Sequence, residues 1–190
     1  MAHNLNFNPL TGKYSFFSVQ EMPWHGLGTI VEQHPTSAEA IGHAGLDYEV
    51  SRALLSTTGC IQDRTEGVIP SEFESTPVEG HFATQRMDTG QVLGVVGKDY
   101  EVIQNRDAFT FFDAILGGRD GILYETAGAL GNGERIFITA TLPDYIRVGS
   151  DDLIKKYIFL TTAHDGTGSI IAAFTPVRIV CANTLSVALS

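Results

Sequence analysis

The residues of this chain best suited to chemistry are His164, Asp165 and Cys181, together with the Trp24-His25-Gly26 cluster near the start. A cysteine beside a histidine and a carboxylate invites a thiolate nucleophile or a metal site, and an indole next to an imidazole invites stacking with proton transfer. Competing readings are simpler. Asp165 and Gly166 suit a hairpin turn, Cys181 falls at helical spacing with Val177, Thr184 and Ala188 as a small buried hydrophobe, and Trp24 suits an aromatic anchor pinning an N-terminal arm. Zinc needs four suitable ligands, and the histidines at 3, 25, 34, 43, 81 and 164 show no paired spacing with Cys60 or Cys181, so no metal or cofactor is expected. The glycines include no Gly-Lys-Ser/Thr ending, which excludes a phosphate loop.

A second constellation is cationic. Arg135, Arg147, Lys155, Lys156 and Arg178 recur through the strand-rich last third of the chain and could line one sheet edge as a nucleic-acid-binding groove. Arg178, read in the first turn of a helix, opposes the helix dipole and calls for an anion or a carboxylate partner, with Asp144, Asp151 or Asp165 as internal choices.

These side chains must be positioned by hairpins and helices. Thr36 with Glu39 forms a capping box for a short helix ending near Gly45, and Tyr48 to Thr57 reads as a strand. Residues 59–80 read as an exposed acidic loop. His81–Met87 and Gln91–Val96 flank the turn Asp88-Thr89-Gly90, and Tyr100–Ile103 reads as a further short strand. Asn105 is expected to cap a helix over Arg106–Leu116, stopped by Gly117-Gly118. Ile122–Leu130 and Arg135–Leu142 flank Gly131-Asn132-Gly133. Tyr157–Ala163 and Ser169–Phe174 flank Asp165-Gly166-Thr167-Gly168, and Thr175 with Pro176 is expected to open a final helix to Leu189. That helix has no C-terminal capping residue, so the chain reads as a fragment of a longer protein.

The predicted class is α+β, an antiparallel sheet of hairpins with helices packed on one face and a β-β-β-α core near the C-terminus. Two regions are expected: residues 1–80 as an arm, short helix and acidic loop, and residues 81–190 as the core domain. The 190 residues are 43% hydrophobic, enough for a sizeable core, and no apolar run reaches the roughly 20 residues that span a bilayer. Two cysteines argue against a disulfide framework and for the cytoplasm. The net charge of −10 opposes phosphate binding, but three bases against ten acids lie in residues 1–80 and nine against twelve in residues 81–190, so the C-terminal part can still carry a basic patch.

Four segments resemble the phage/plasmid-like protein family, a domain-of-unknown-function group of bacteriophages, prophages and plasmids. They are Pro23-Trp24-His25-Gly26-Leu27-Gly28, residues Val96 to Asn105, residues Thr126 to Gly133, and Thr162-Ala163-His164-Asp165-Gly166 with Phe174 to Leu185, which includes Asn183. The resemblance implies a bacterial host cell and marks Trp24, His25, Gly26, His164, Asp165 and Asn183 as motif positions, with no catalytic set to transfer. The order of the last strands and helix is also similar to the β-β-β-α core of Rad52-type single-strand annealing proteins. A homo-oligomeric single-stranded-DNA binding or annealing factor is therefore the first expectation. Its alternatives are an enzyme using His25, His164, Asp165 and Cys181, and a non-catalytic assembly protein; a non-enzyme is preferred.

Overall fold

The computed structural model describes residues 3–59, 74–116, 123–148 and 152–190. In chain order the elements are β1 (Phe7–Asn8), β2 (Lys13–Tyr14), β3 (Phe16–Val19), β4 (Thr29–Val31), α1 (Ser37–Ala44), β5 (Val50–Gly59), β6 (Glu74–Arg86), β7 (Val92–Gly97), α2 (Asn105–Ile115), β8 (Leu123–Leu130), β9 (Arg135–Val148), β10 (Asp152–Ala163), β11 (Ile171–Thr175) and α3 (Ala182–Leu189). Six strands form the main sheet in the order β11-β10-β9-β8-β3-β4, three form a second sheet β5-β6-β7, and β1 pairs with β2. The class is α+β. All pairings are antiparallel except β3 with β4, which run parallel at one edge.

The main sheet is apolar on both faces. Ile136, Ile138, Ala140, Ile158 and Leu160 join Ala40 and Ala44 of α1 and Ala108, Phe109 and Phe112 of α2 in one core cluster. Their neighbours Phe137 and Phe159 point the other way and join Ile179, Val180, Cys181 and Leu185 in a second. This corrects the expectation that all helices share one face. A strand reading Ile-Phe-Ile or Ile-Phe-Leu has apolar side chains on both sides of the pleat, and both sides must be covered.

Three further expectations are revised. Residues 81–97 do not join the main sheet: β6 pairs with β5 and β7, and it begins at Glu74, so a boundary at residue 80 cuts through a strand. β3 inserts beside β8 through Phe17↔Ala127, with Phe16 and Phe17 fully buried, so the first 80 residues contribute to the central core. The final helix begins at Ala182 rather than Pro176, because Thr175 turns its hydroxyl onto Val177 N–H (3.0 Å) and residues Ile179 to Cys181 are buried in non-helical form, with Cys181 extended as the N-cap. Ile179 is held there by Thr126, whose hydroxyl donates to its carbonyl at 2.6 Å.

Local signals held where the interactions are local. The Thr36–Glu39 capping box is present and Gly45 closes α1 with φ +61°. Gly90, Gly131, Gly133 and Gly166 all take positive φ in the expected turns. The backbone over residues 101–104 forms no strand, and the residue capping α2 is Gln104 rather than Asn105. Cys60, Gly117 and Gly118 lie outside the described residues. Among the described residues no helix is long and apolar enough to cross a membrane.

Candidate functional site

Arg86, at the end of β6, is 1% exposed and organises a buried polar network between the two sheets. Its Nε and Nη2 donate to the two carboxylate oxygens of Asp88 at 2.9 and 2.7 Å. Nη1 donates to Asn6 Oδ1 (3.0 Å) and to the Asn132 carbonyl (3.2 Å). The guanidinium carbon sits 3.7 Å from the centre of the Tyr48 ring. Such a fork can serve carboxylate, carbonyl and ring at once only because it is planar and permanently charged. Gly133 is required beside it: its φ is +104° and a Cβ there would approach Arg86 Nη1 to 2.7 Å. Burial raises the Asp88 carboxyl, but the hydrogen bonds and charge of Arg86 outweigh this and hold it below its ordinary value. Tyr48 donates to the Gly133 carbonyl (2.8 Å), and burial pushes its phenol up to about 12.

His164 closes the same network and is fully buried at the end of the β10 strand. Asn105 donates its amide N–H to the Leu46 carbonyl (3.0 Å), leaving Oδ1 to accept from His164 Nε2–H at 2.8 Å. The ring is therefore the neutral Nε2–H tautomer, and its Nδ1 is buried without a partner among the described residues. Burial, with Arg86 opposing it further and Asp165 favouring the charge, holds the ring pKa down at about 4. Asp165 lies outside this cluster: its Oδ1 accepts from Thr167 N–H and hydroxyl at 2.9 and 2.7 Å, which is turn chemistry.

Arg178 occupies the extended segment before α3, so no helix dipole opposes it. It does have carboxylate partners, Glu125 Oε1 (2.7 Å) and Glu21 Oε2 (3.1 Å). Of the aspartates named from sequence, Asp165 is engaged in its own turn, and the side chains of Asp144 and Asp151 lie outside the described residues. Ser18 Oγ (3.0 Å) and the Val19 carbonyl (2.7 Å) accept from the same guanidinium. Thr141 donates to the other oxygen of Glu125 at 3.0 Å. Arg178 is thereby a clamp that ties the segment leading to α3 onto β3 and β8.

Cys181 is fully buried and free, in the second core cluster with Phe137 and Phe159. Its own N–H and that of Val180 donate to Thr184 Oγ1 at 3.0 and 2.9 Å, which satisfies two amides at the start of α3. A thiol reagent added to native protein should label Cys181 no faster than the chain unfolds, measured by mass spectrometry with and without urea; rapid native labelling would contradict this burial.

His25 sits elsewhere. Its Nδ1 accepts from Leu27 N–H and its Nε2–H donates to the Val180 carbonyl, both at 3.1 Å, and burial draws its pKa below the ordinary value. Phe16, His3 and Trp24 surround the ring at centroid distances of 5.6, 5.2 and 5.7 Å. Trp24 itself is 69% exposed, so it does not serve as the buried anchor anticipated for the arm. His164 thus lies in the Arg86 network, whereas His25 and Cys181 both border the second core cluster, through Phe16 and Val180, and no group of three or more metal-ligating side chains gathers among the described residues.

The cations also divide. Arg135 pairs with Ala163 at one end of the sheet, whereas Arg147 pairs with Leu153 and Lys155 with Tyr145. Eight residues of β10 separate the two groups, about 27 Å of strand. Lys155 is exposed and Lys156 half-buried, at a register break between Lys155 and Tyr157. Asn183 is exposed on α3.

The missed residues, Arg86, Asp88, Asn6, Tyr48, Asn105 and Glu125, carried one usable signal: Arg86 ends a strand two residues before Asp88, which opens the hairpin turn. A family model described as a domain of unknown function (DUF932) matches residues 92–190, from β7 through α3. No curated protein and no solved structure matches the chain.

Proposed function

The chain belongs to the DUF932 family of domains of unknown function, and from that premise we propose that it is a phage- or plasmid-encoded factor that binds single-stranded DNA along the outer part of the β9–β10 ribbon. The observation that carries this reading is the length of that ribbon. Among the described residues β8 pairs with β9 up to Leu123↔Thr141, and the pairing of β9 with β10 continues to Val148↔Asp152. Arg147, Lys155 and Lys156 all fall on the extension, and the bulge between Lys155 and Tyr157 gives the two lysines a local twist of their own. The extension also carries Asp144 and Asp152, so what supports the reading is the local pair of lysines at the bulge rather than a basic ribbon as a whole.

The meander β9-β10-β11 followed by α3 supports the annealing-protein reading at the level of element order, and homo-oligomeric action belongs to the same proposal. Arg178 contributes to the clamp and not to the strand, since its guanidinium is already committed to Glu125 and Glu21. An enzyme built from His25, His164, Asp165 and Cys181 is disfavoured because these groups do not converge.

Changing Lys155 and Lys156 together to Ala should weaken single-strand binding at low salt and flatten its salt dependence by roughly 0.7 per lost phosphate contact in a gel-shift series. The melting temperature should move little, as Lys155 is exposed and the half-buried Lys156 is on the extension rather than in either core cluster. A wild-type protein with no affinity for single strands even at low salt would overturn the proposal.

A further inference from the structure

We propose that the open groove between the N-terminal β1–β2 hairpin and the turn joining β8 to β9 binds the planar ring of a nitrogen heterocycle of the nucleobase class, with Trp24 at its rim as a stacking partner. The groove has a volume of about 780 Å³, and its lining includes the rings of His3, Phe7, Tyr14 and His25 together with Asn132 and Glu134. Its aromatic wall is built in advance. His25 is fixed by hydrogen bonds at both nitrogens, His3 lies 5.2 Å from it, and Trp24 packs edge-on to His3 at 4.3 Å. Phe7 and Tyr14 form a second edge-to-face pair at 5.3 Å.

Trp24 packs edge-on against His3 and His25 of the groove wall yet is 69% exposed, which leaves a large apolar surface in water that a flat partner would cover. The charge of the lining selects the partner. It contains one carboxylate and neither Lys nor Arg, so it does not suit a phosphate. Glu134 already accepts from Asn132 N–H at 2.6 Å, and a carboxylate has further lone pairs for a ligand N–H. The side-chain amide of Asn132, on an exposed residue, offers both a donor and an acceptor. Flat apolar faces with a donor-and-acceptor edge are the features of a nucleobase, free or within a strand. The inference stands apart from the ribbon reading, since the groove lies at the Arg135 end of the sheet and the ribbon at the other.

Trp24 is the only tryptophan of the chain, so its emission reports on the groove directly. Adenosine and oligodeoxyadenylate are titrated separately into the full chain, with affinity also measured by calorimetry for wild type and Trp24→Leu. The expected result is a saturable change in Trp24 emission with adenosine that is insensitive to salt, and an affinity lowered at least about fivefold in Trp24→Leu. If the oligonucleotide is also bound and equally weakened by Trp24→Leu, the base is taken from a strand; response to adenosine alone identifies a free nucleoside. The inference is overturned if neither ligand changes the emission saturably, or if Trp24→Leu leaves both affinities as they were. The Lys155 and Lys156 double variant should keep the adenosine response, so the groove and the ribbon fail separately.

Discussion

Replacing Arg86 by Leu is expected to lower the stability of the fold by about 3 kcal/mol, read as a shift of the urea midpoint with an unchanged slope. The loss has four parts. Asp88 loses a bidentate partner, Asn6 Oδ1 and the Asn132 carbonyl each lose a donor, and the Tyr48 ring loses the cation packed on its face. The Asp88 side chain keeps 29% exposure and can rehydrate, which holds the cost toward the lower end of what a broken buried pair entails. Asp88→Asn should therefore cost less than Arg86→Leu, and the double variant should cost less than the sum of the two. Additive effects, or a change under 1 kcal/mol for Arg86→Leu on the order-of-magnitude scale used for buried pairs, would show that the network does not hold the two sheets together.

The second large effect is on pH dependence. In the unfolded chain His164 binds a proton near its ordinary 6.5, while in the fold it stays neutral down to about 4. The unfolded state therefore holds more protons throughout that window, and stability present above 6.5 is lost as the pH falls toward 4. At about pH 5 the loss is about 2 kcal/mol. The physical reason is that a second proton must go onto Nδ1, which is buried with no acceptor among the described residues, and that the Arg86 charge opposes it. His25, lowered by burial, adds to the loss with the same sign. Carboxylates held low, such as Asp88 and Glu39, act in the same direction but below the histidine window. Denaturation midpoints of wild type and His164→Gln across this range test the assignment: glutamine keeps a donor for Asn105 and should flatten the slope. A slope unchanged in the variant would place the proton uptake elsewhere.

The motif histidine sits in a buried network whose members, Asn105, Tyr48 and Arg86, lie far from it in the chain. Asp165 was legible as a turn residue because its hydrogen bonds reach only two positions ahead. Cys181 was legible as buried, although the helix assumed around it starts later. Arg178 was legible as a cation in need of a carboxylate, but the carboxylates that answer it are 53 and 157 positions away, in a strand and a loop that only the assembled sheet brings near. Trp24 illustrates the opposite error. Aromatic identity suggested burial, and the structure buries Pro23 and tucks in His25 while leaving the indole outside.

By itself the sequence determined what is decided within a few residues: the hairpin turns at 88–90, 131–133 and 165–168, where glycine permits positive φ, the capping box of α1, and the mixed α+β character. Tertiary structure decided which strands neighbour one another, that helices cover both faces of the main sheet, and that Arg86, Tyr48, Asn105 and His164 share one buried network. Turn and cap energies are local and depend on the residue at hand. Strand order and the pairing of buried charges depend on burial summed over the whole core, where contacts between residues far apart in the chain compete on nearly equal terms and only the complete packing separates them.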